Sequence, residues 1–242
     1  SIRKGFMRRC FAPDSVVDIA VDISKEQLSD LQADHEYFRR KKTRSSVYRI
    51  CSSVTVTVNG KKYVVDDVGL RLKGTSSRCS FYNDILGIYN LVNFRMSFGC
   101  TFDDTGDYGL ETRTWPDGEE KKKRERRTFA TMRTLELKWN ITGDSTYVRN
   151  QYVQEMFKAY GVPAQRSTLC TLSLGGCRLG VYRLFEPVDE NFIRRYFPEK
   201  DWGGDLYKVR SVNGSPGTYS LANTYGVGSK KKGEEYTFGT VY

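Results

Sequence analysis

Residues 67–77 read Asp-Val-Gly-Leu-Arg-Leu-Lys-Gly-Thr-Ser-Ser, an alternating strand that delivers Arg71 and Lys73 to a glycine and three hydroxyl residues. Side chains two apart on a strand share a face, so the two cations project the same way. Gly74 lets backbone amides approach an anion, and Thr75, Ser76 and Ser77 add hydroxyl donors. That is the chemistry of a phosphate-binding turn, although a solvated hairpin end uses the same residue types. Further along lie Arg95, in the basic-aromatic run Asn93-Phe-Arg-Met-Ser-Phe98, and two carboxylates, Glu155 and Glu186. Phosphoryl transfer needs cations at the phosphates, oxygen ligands for a metal, and a group that orients the acceptor hydroxyl. Only the cations are evident.

The elements that must position these groups follow from periodicity. Val17, Ile19, Val21 and Ile23 alternate as a half-buried strand, and Ser24-x-x-Gln27 opens a short helix with a capping-box pattern. Val54, Val56 and Val58 alternate into Asn59-Gly60, a strong hairpin signal, and Tyr63 to Lys73 returns as the second strand. Leu91 to Phe98 reads as a third strand and Arg133 to Trp139 as another. Between them, residues 99–130 read as a long, poorly ordered surface excursion or insertion. Asp144 is placed to cap a helix over 145–160, whose apolar positions Val148, Tyr152, Met156 and Tyr160 repeat every four residues and should pack on the sheet. Thr168 to Leu174 and Arg178 to Phe185 form a hairpin across Gly175-Gly176, and Glu186-Pro-Val-Asp189 leads into a short helix.

Several blocks in this order resemble the CotH (spore-coat protein H) kinase family. Val68 to Ser77 is similar to its G-x-R-x-K-G-x-S-S signature, Asn93 to Phe98 to its basic-aromatic strand, and Gly143-Asp-Ser-Thr-Tyr-Val-Arg149 to the start of its helix. Leu179 to Glu186 resembles its G-x-Y-x-x-x-E strand, and Gly203-Gly-Asp-Leu-Tyr-Lys208 its G-x-L-Y-K block. The resemblance implies an α+β fold like the amino-terminal lobe of protein kinases: a small antiparallel sheet with a packed helix and long basic surface loops. It implies ATP with Mg²⁺ or Mn²⁺ as cofactors, and Arg71, Lys73, Gly74, Ser76, Ser77, Arg95, Glu155, Glu186 and Val188 as nucleotide-site residues. Glu155 would pair with the phosphate-gripping cation, and the Glu186–Val188 connector would offer backbone groups to adenine. Arg95 stands where the family strand often carries lysine, replacing a point charge with a fork.

Nothing after Lys208 resembles the family's second, aspartate-rich lobe. The expectation is therefore an extension (1–15), a CotH-like small-lobe domain (16–210, with 99–130 inserted) and a polar tail or start of a second lobe (211–242). Such a chain would be the nucleotide-binding half of an atypical kinase acting on protein Ser/Thr, inactive by itself. The competing reading is a non-catalytic secreted or cell-surface structural or adhesion protein with the same fold.

Composition bounds both readings. With 242 residues, 38% hydrophobic and 13% aromatic, the chain can build a sizeable core. It carries no apolar stretch long enough for a membrane span. Its start at Ser1 rather than Met reads as a trimmed or partial chain. The net charge of +10 comes entirely from two runs, 39–44 and 121–127. These are solvated loops or docking points for an anionic partner; without interleaved aromatics they do not suit single-stranded nucleic acid. Six cysteines with one histidine and no C-x-x-C argue against zinc. They fit either disulfides, with Cys170–Cys177 the favoured pair, or buried thiols. The sequons at Asn140 and Asn213 tilt the reading toward secretion.

Overall fold

The computed structural model describes residues 2–41, 47–74, 81–83, 88–103, 113–139, 146–204 and 206. Thr75, Ser76, Ser77, Cys79, Asn140, Asp144 and Asn213 lie outside them, as does the second half of the run 39–44. The chain divides into two compact units, Ser1–Pro187 and Val188–Tyr242.

The first unit is a closed seven-stranded barrel, not the small antiparallel sheet that the sequence suggests. Its strands are β1 (Val17–Asp22), β2 (Arg49–Val58), β3 (Lys61–Lys73), β6 (Asn93–Ser97), β7 (Thr134–Lys138), β8 (Ser167–Leu174) and β9 (Cys177–Phe185). A separate two-stranded ribbon, β4 (Tyr82–Asn83) with β5 (Ile88–Tyr89), lies between β3 and β6 in sequence. Around the barrel the order is β1-β2-β3-β6-β7-β9-β8. Every junction is antiparallel except the closing one, where β1 and β8 run parallel with Ile19 opposite Leu172. Closure removes both sheet edges. It depends on a pairing between distant segments that no local periodicity encodes, which is why the open-sheet expectation fails.

The hairpins form where expected. Asn59 (φ 48°) and Gly60 (φ 80°) both take positive φ, as a two-residue turn with this twist requires. Alternation then fills the barrel: Ile19, Val54, Val56, Leu70, Leu72, Phe94, Met96, Leu135, Leu137, Leu172, Tyr182 and Leu184 are fully or almost fully buried. Helix α1 (Ile2–Cys10) adds Phe6, Met7 and Cys10 to this core, with Phe6 edge-on to Tyr63 and Phe129. The Ser24 hydroxyl caps α2 by accepting from the Gln27 amide at 3.2 Å, but α2 runs over Lys25–Arg40 instead of stopping short. It docks through Leu28 and Leu31 and through a buried ion pair in which Arg49 grips Asp34 with two nitrogens.

Two expectations about packing do not hold. Helix α4 (Arg149–Ala159) exists, yet none of its residues is buried. Its four-residue stripe is turned outward, with Val148 56%, Tyr152 64%, Met156 42% and Tyr160 80% exposed. The inward-facing positions are the polar ones, Gln151 and Gln154, which meet Arg183 and Ser167. The Cys170–Cys177 disulfide is also absent. The β8–β9 register sets Cys170 opposite Tyr182 and Cys177 opposite Leu174, so one thiol points into the barrel and the other lies exposed. All five cysteines among the described residues are free thiols. Burial pushes Cys10 and Cys51 up to about 12 and raises Cys170 as well, which keeps them as inert apolar fillers.

The 99–130 excursion contains ordered structure. Asp117 caps α3 (Gly118–Glu125) through the Glu120 amide at 2.7 Å, and the basic run lies along this helix. The helix comes so close to Gly99 that a Cβ there would sit 2.6 Å from the Glu125 carbonyl oxygen. In the second unit, Asp189 caps α5 (Glu190–Tyr196) by accepting from Asn191 and Phe192.

Among the described residues, no helix is long and apolar enough to cross a membrane.

Candidate phosphate-binding face

Three barrel strands carry one pattern: Leu70-Arg-Leu-Lys73, Phe94-Arg-Met96 and Leu135-Glu-Leu-Lys138. Because their apolar members fill the barrel, the charged members must emerge on its outer wall. The register lines them up. Arg71 lies opposite Arg95, and Arg95 opposite Glu136; on the neighbouring row Lys73 faces Asn93. Arg71, Lys73 and Arg95 therefore share one face of adjacent strands, joined by Glu136 and Lys138.

Lys73 and Glu136 form an ion pair at the centre of this face, and Lys138 reaches the same carboxylate at 3.7 Å. Burial pushes the Lys73 ammonium down to about 8, with Lys138 and Arg95 adding repulsion and Glu136 opposing it. Burial also works against ionising Glu136, but the charges of Lys73, Lys138 and Arg95 outweigh it and hold the carboxyl below its ordinary range. The pair is therefore charged at neutral pH and sits in a field with excess positive charge. Arg95 makes one long hydrogen bond, Nη2 to Thr134 Oγ1 at 3.4 Å. Its buried Nε has no hydrogen-bond partner among the described residues. Buried guanidinium donors normally find acceptors, so this one is suited to an incoming oxyanion. The Arg71 guanidinium stacks 5.1 Å from the Tyr48 ring, and Lys138 lies 4.6 Å from the Phe185 ring. Gly74 follows Lys73 at φ 122°, where a side chain would be strained.

The other sequence candidates lie elsewhere. Glu155 is exposed on α4 and bonds Gln151 at 2.9 Å within its own helix; the carboxylate that meets Lys73 is Glu136 instead. Glu186 is fully buried at the end of β9, its carboxylate accepting from the Arg166 amide at 3.1 Å and its own amide donating to the Arg166 carbonyl at 3.0 Å. It ties the β9 terminus to the start of β8. Val188 belongs to the second unit. Glu136 escaped sequence reasoning because the kinase resemblance directed attention to a helix glutamate. The Leu-Glu-Leu-Lys alternation, matched to Leu-Arg-Leu-Lys, was the available signal.

Residues 107–239 match the family model for CotH kinase protein. The chain belongs to the CotH kinase family. No curated protein matches the sequence. The matched CotH segment contains β7 with Glu136 and Lys138, together with α4, β8 and β9; the strands bearing Arg71, Lys73 and Arg95 precede it. A CotH kinase acts on a nucleotide with a metal ion, so both groups can be tested against this face. The phosphates fit: three cations, Lys73, Lys138 and Arg95, surround one carboxylate, and a buried donor is available. A metal does not. Among the described residues no group of three or more His, Cys, Asp or Glu side chains could hold one, and Glu136 is engaged with two lysines.

Proposed function

We propose that this chain grips the phosphates of ATP on the outer face of β3, β6 and β7, within a CotH-type protein that phosphorylates protein serine or threonine. The observation that carries the reading is the half-buried Lys73–Glu136 pair with Arg95 beside it. Binding a polyphosphate requires fixed positive charge in a partly dry setting, where each contact is worth more than in water. Glu136 orients Lys73 and holds its proton despite burial. Arg95 and Arg71 supply forks to separate phosphate oxygens, and the ring of Tyr48 steadies the Arg71 guanidinium.

The transfer step is not assigned to these residues. With one carboxylate committed to two lysines, the described residues of this face include no group to orient an acceptor hydroxyl. The test is isothermal titration of the full chain with ATP, in the presence and absence of Mg²⁺. Saturable binding that Arg95→Ala weakens about tenfold supports the reading, a loss of roughly 1.4 kcal/mol. Absence of binding, or binding indifferent to Arg95, would leave the non-catalytic structural role as the better account.

A further inference from the structure

Helix α4 carries an uncovered apolar surface on the side opposite its barrel contacts. Gln151 and Gln154 turn toward β8 and β9, where they meet Arg183 and Ser167. At 3.6 residues per turn, Val148, Tyr152, Met156 and Tyr160 then form one outward ridge, with Val153 and Phe157 along its flank. These two are 41% and 47% exposed, so the ridge is broad. The end of the helix has a fixed form. After the cap Tyr160, Gly161 takes φ 69° and donates to the Lys158 carbonyl at 3.1 Å, while the Val162 amide donates to that of Phe157 at 2.8 Å. This double turn carries Val162, itself exposed, back toward Phe157 and extends the apolar surface.

Such a surface is costly to leave in water. Tyr152, Phe157 and Tyr160 alone expose roughly 400 Å², since each ring side chain carries about 150–250 Å² and these show half or more of it. With the valines and Met156 the patch is on the order of 600 Å², the upper end of what an ordinary monomer exposes. A helix of 11 residues normally draws its stability from a buried apolar face, and none of the α4 residues is buried. Charge narrows what can cover it. The helix carries Arg149 and Lys158 against Glu155, which lies 3.7 Å from Lys158. The excess charge of the chain resides instead in the runs 39–44 and 121–127. A strongly acidic or basic partner would find little counter-charge on this face, whereas a copy of the same face meets little repulsion.

We propose that α4 is the interface through which two copies of this chain associate about a two-fold axis, helix against antiparallel helix. The ridge is complementary to itself. Its four apolar positions are evenly spaced, so a copy turned end for end sets Val148 against Tyr160 of the second copy and Tyr152 against Met156 of the second copy, each contact occurring twice. Rows of side chains four residues apart are also the ridges that interlock in the commonest mode of helix packing, with axes about 8–10 Å apart. The hydroxyls of Tyr152 and Tyr160 stay at the rim, in water. The apolar surface falls short of the roughly 800 Å² that each partner gives to a standard interface, so the dimer is a reversible one.

Sedimentation velocity on the full chain over about 1–200 μM, the range for a reversible interface of this size, tests the proposal. Monomer at the low end should give way to dimer at the high end. Tyr152→Asp and Met156→Arg each put a charge at the centre of the ridge and should weaken association at least about tenfold. Both residues are exposed, so the urea midpoint measured on dilute protein should stay where it is. An equimolar mixture of the two variants should associate more tightly than either alone, because the antiparallel pairing brings the new carboxylate to the new guanidinium. Lys123→Ala, on α3, should leave association unchanged. A chain that stays monomeric throughout, a dimer that persists in both ridge variants, or a mixture no tighter than its components would overturn the proposal. None of these outcomes depends on whether ATP binds the Lys73 face.

Discussion

Two basic regions of this barrel use similar residues to opposite ends. Midway along β3, Asp67 adopts φ 57°. There the inward alternation changes phase on both β2 and β3, from Val54 and Val65 to Cys51 and Val68. Three arginines converge on the irregularity. Arg113 forms a fork to the Asp67 carboxylate at 2.8 Å, Arg124 pairs with it at 3.2 Å, and Arg124 and Arg127 both donate to the Asp67 carbonyl. Arg124 also donates to the Cys100 carbonyl at 2.7 Å, and Arg127 to that of Phe98. Here backbone oxygens exposed by a kinked strand absorb the cations. On the neighbouring outer face, Lys73, Arg95 and Lys138 surround a single carboxylate among the described residues. Local density of positive charge therefore does not distinguish scaffold from binding face; the supply of acceptors does.

Arg124→Ala should separate the two most strongly. Removing a buried guanidinium takes away the contacts to the Cys100 and Asp67 carbonyls, the latter still held by Arg127, and part of the Asp67 pairing, a loss of about 3 kcal/mol. Urea unfolding should show a lower midpoint at constant slope, while ATP affinity measured on the folded protein stays within twofold. A matching loss of affinity would mean that the clamp is part of the binding face.

Lys73→Ala should give the reverse pattern. ATP affinity drops about tenfold or more, roughly 1.4 kcal/mol. Stability falls by only about 1 kcal/mol, because Lys138 still reaches Glu136. A stability loss without an affinity loss would reassign Lys73 to the scaffold.

Acid and base should also affect the regions differently. The Arg113 fork, with Arg124 and Arg127 nearby, holds Asp67 below its ordinary value of 3.8 despite opposing burial. The unfolded chain therefore takes up this proton first, and the clamp's contribution, fully present above that value, disappears as pH falls through the folded one. Lys73 moves the other way, from 10.5 to about 8. Between these values the unfolded chain binds the extra proton, so this group's contribution to stability rises with pH. ATP affinity should fall over pH 7 to 9 as the ammonium is lost. Calorimetric titration across that range checks this, and a flat profile would show that Lys73 does not contact phosphate.

Lys123→Ala provides the smallest effect. Lys123 is exposed on α3, so its removal should change stability by less than about 0.5 kcal/mol and leave ATP binding intact. A larger shift would mean that the 121–127 run acts as a unit.

Much of the local structure was legible in the sequence. Asn59-Gly60 and Gly175-Gly176 announced their hairpins, and alternation around Arg71, Lys73 and Arg95 gave their common orientation once the strands were paired. Barrel closure was not legible, because β1 and β8 lie far apart in sequence and no local pattern encodes their pairing. The orientation of α4 was also hidden. A four-residue apolar repeat marks a helix face, but whether that face meets the barrel depends on what competes for the position, and here the Arg183 and Ser167 polar groups recruit Gln151 and Gln154. Arg124 and Arg127 looked like solvated charge because their acceptors are backbone carbonyls created by a strand irregularity. Glu136 could have been found from its strand pattern alone.

The parallel seam between β1 and β8 has a consequence for how the chain is made. Thr171 donates to Asp18 across 153 positions of sequence, so the barrel cannot be sealed until β8 has emerged from the ribosome. Until then β1 and β9's future neighbour remain open edges, with unpaired backbone groups able to recruit other strands. Pairing at such a separation is slow. A nascent chain stalled before residue 167 should therefore be the aggregation-prone species, and slower translation just ahead of β8 should lengthen its exposure.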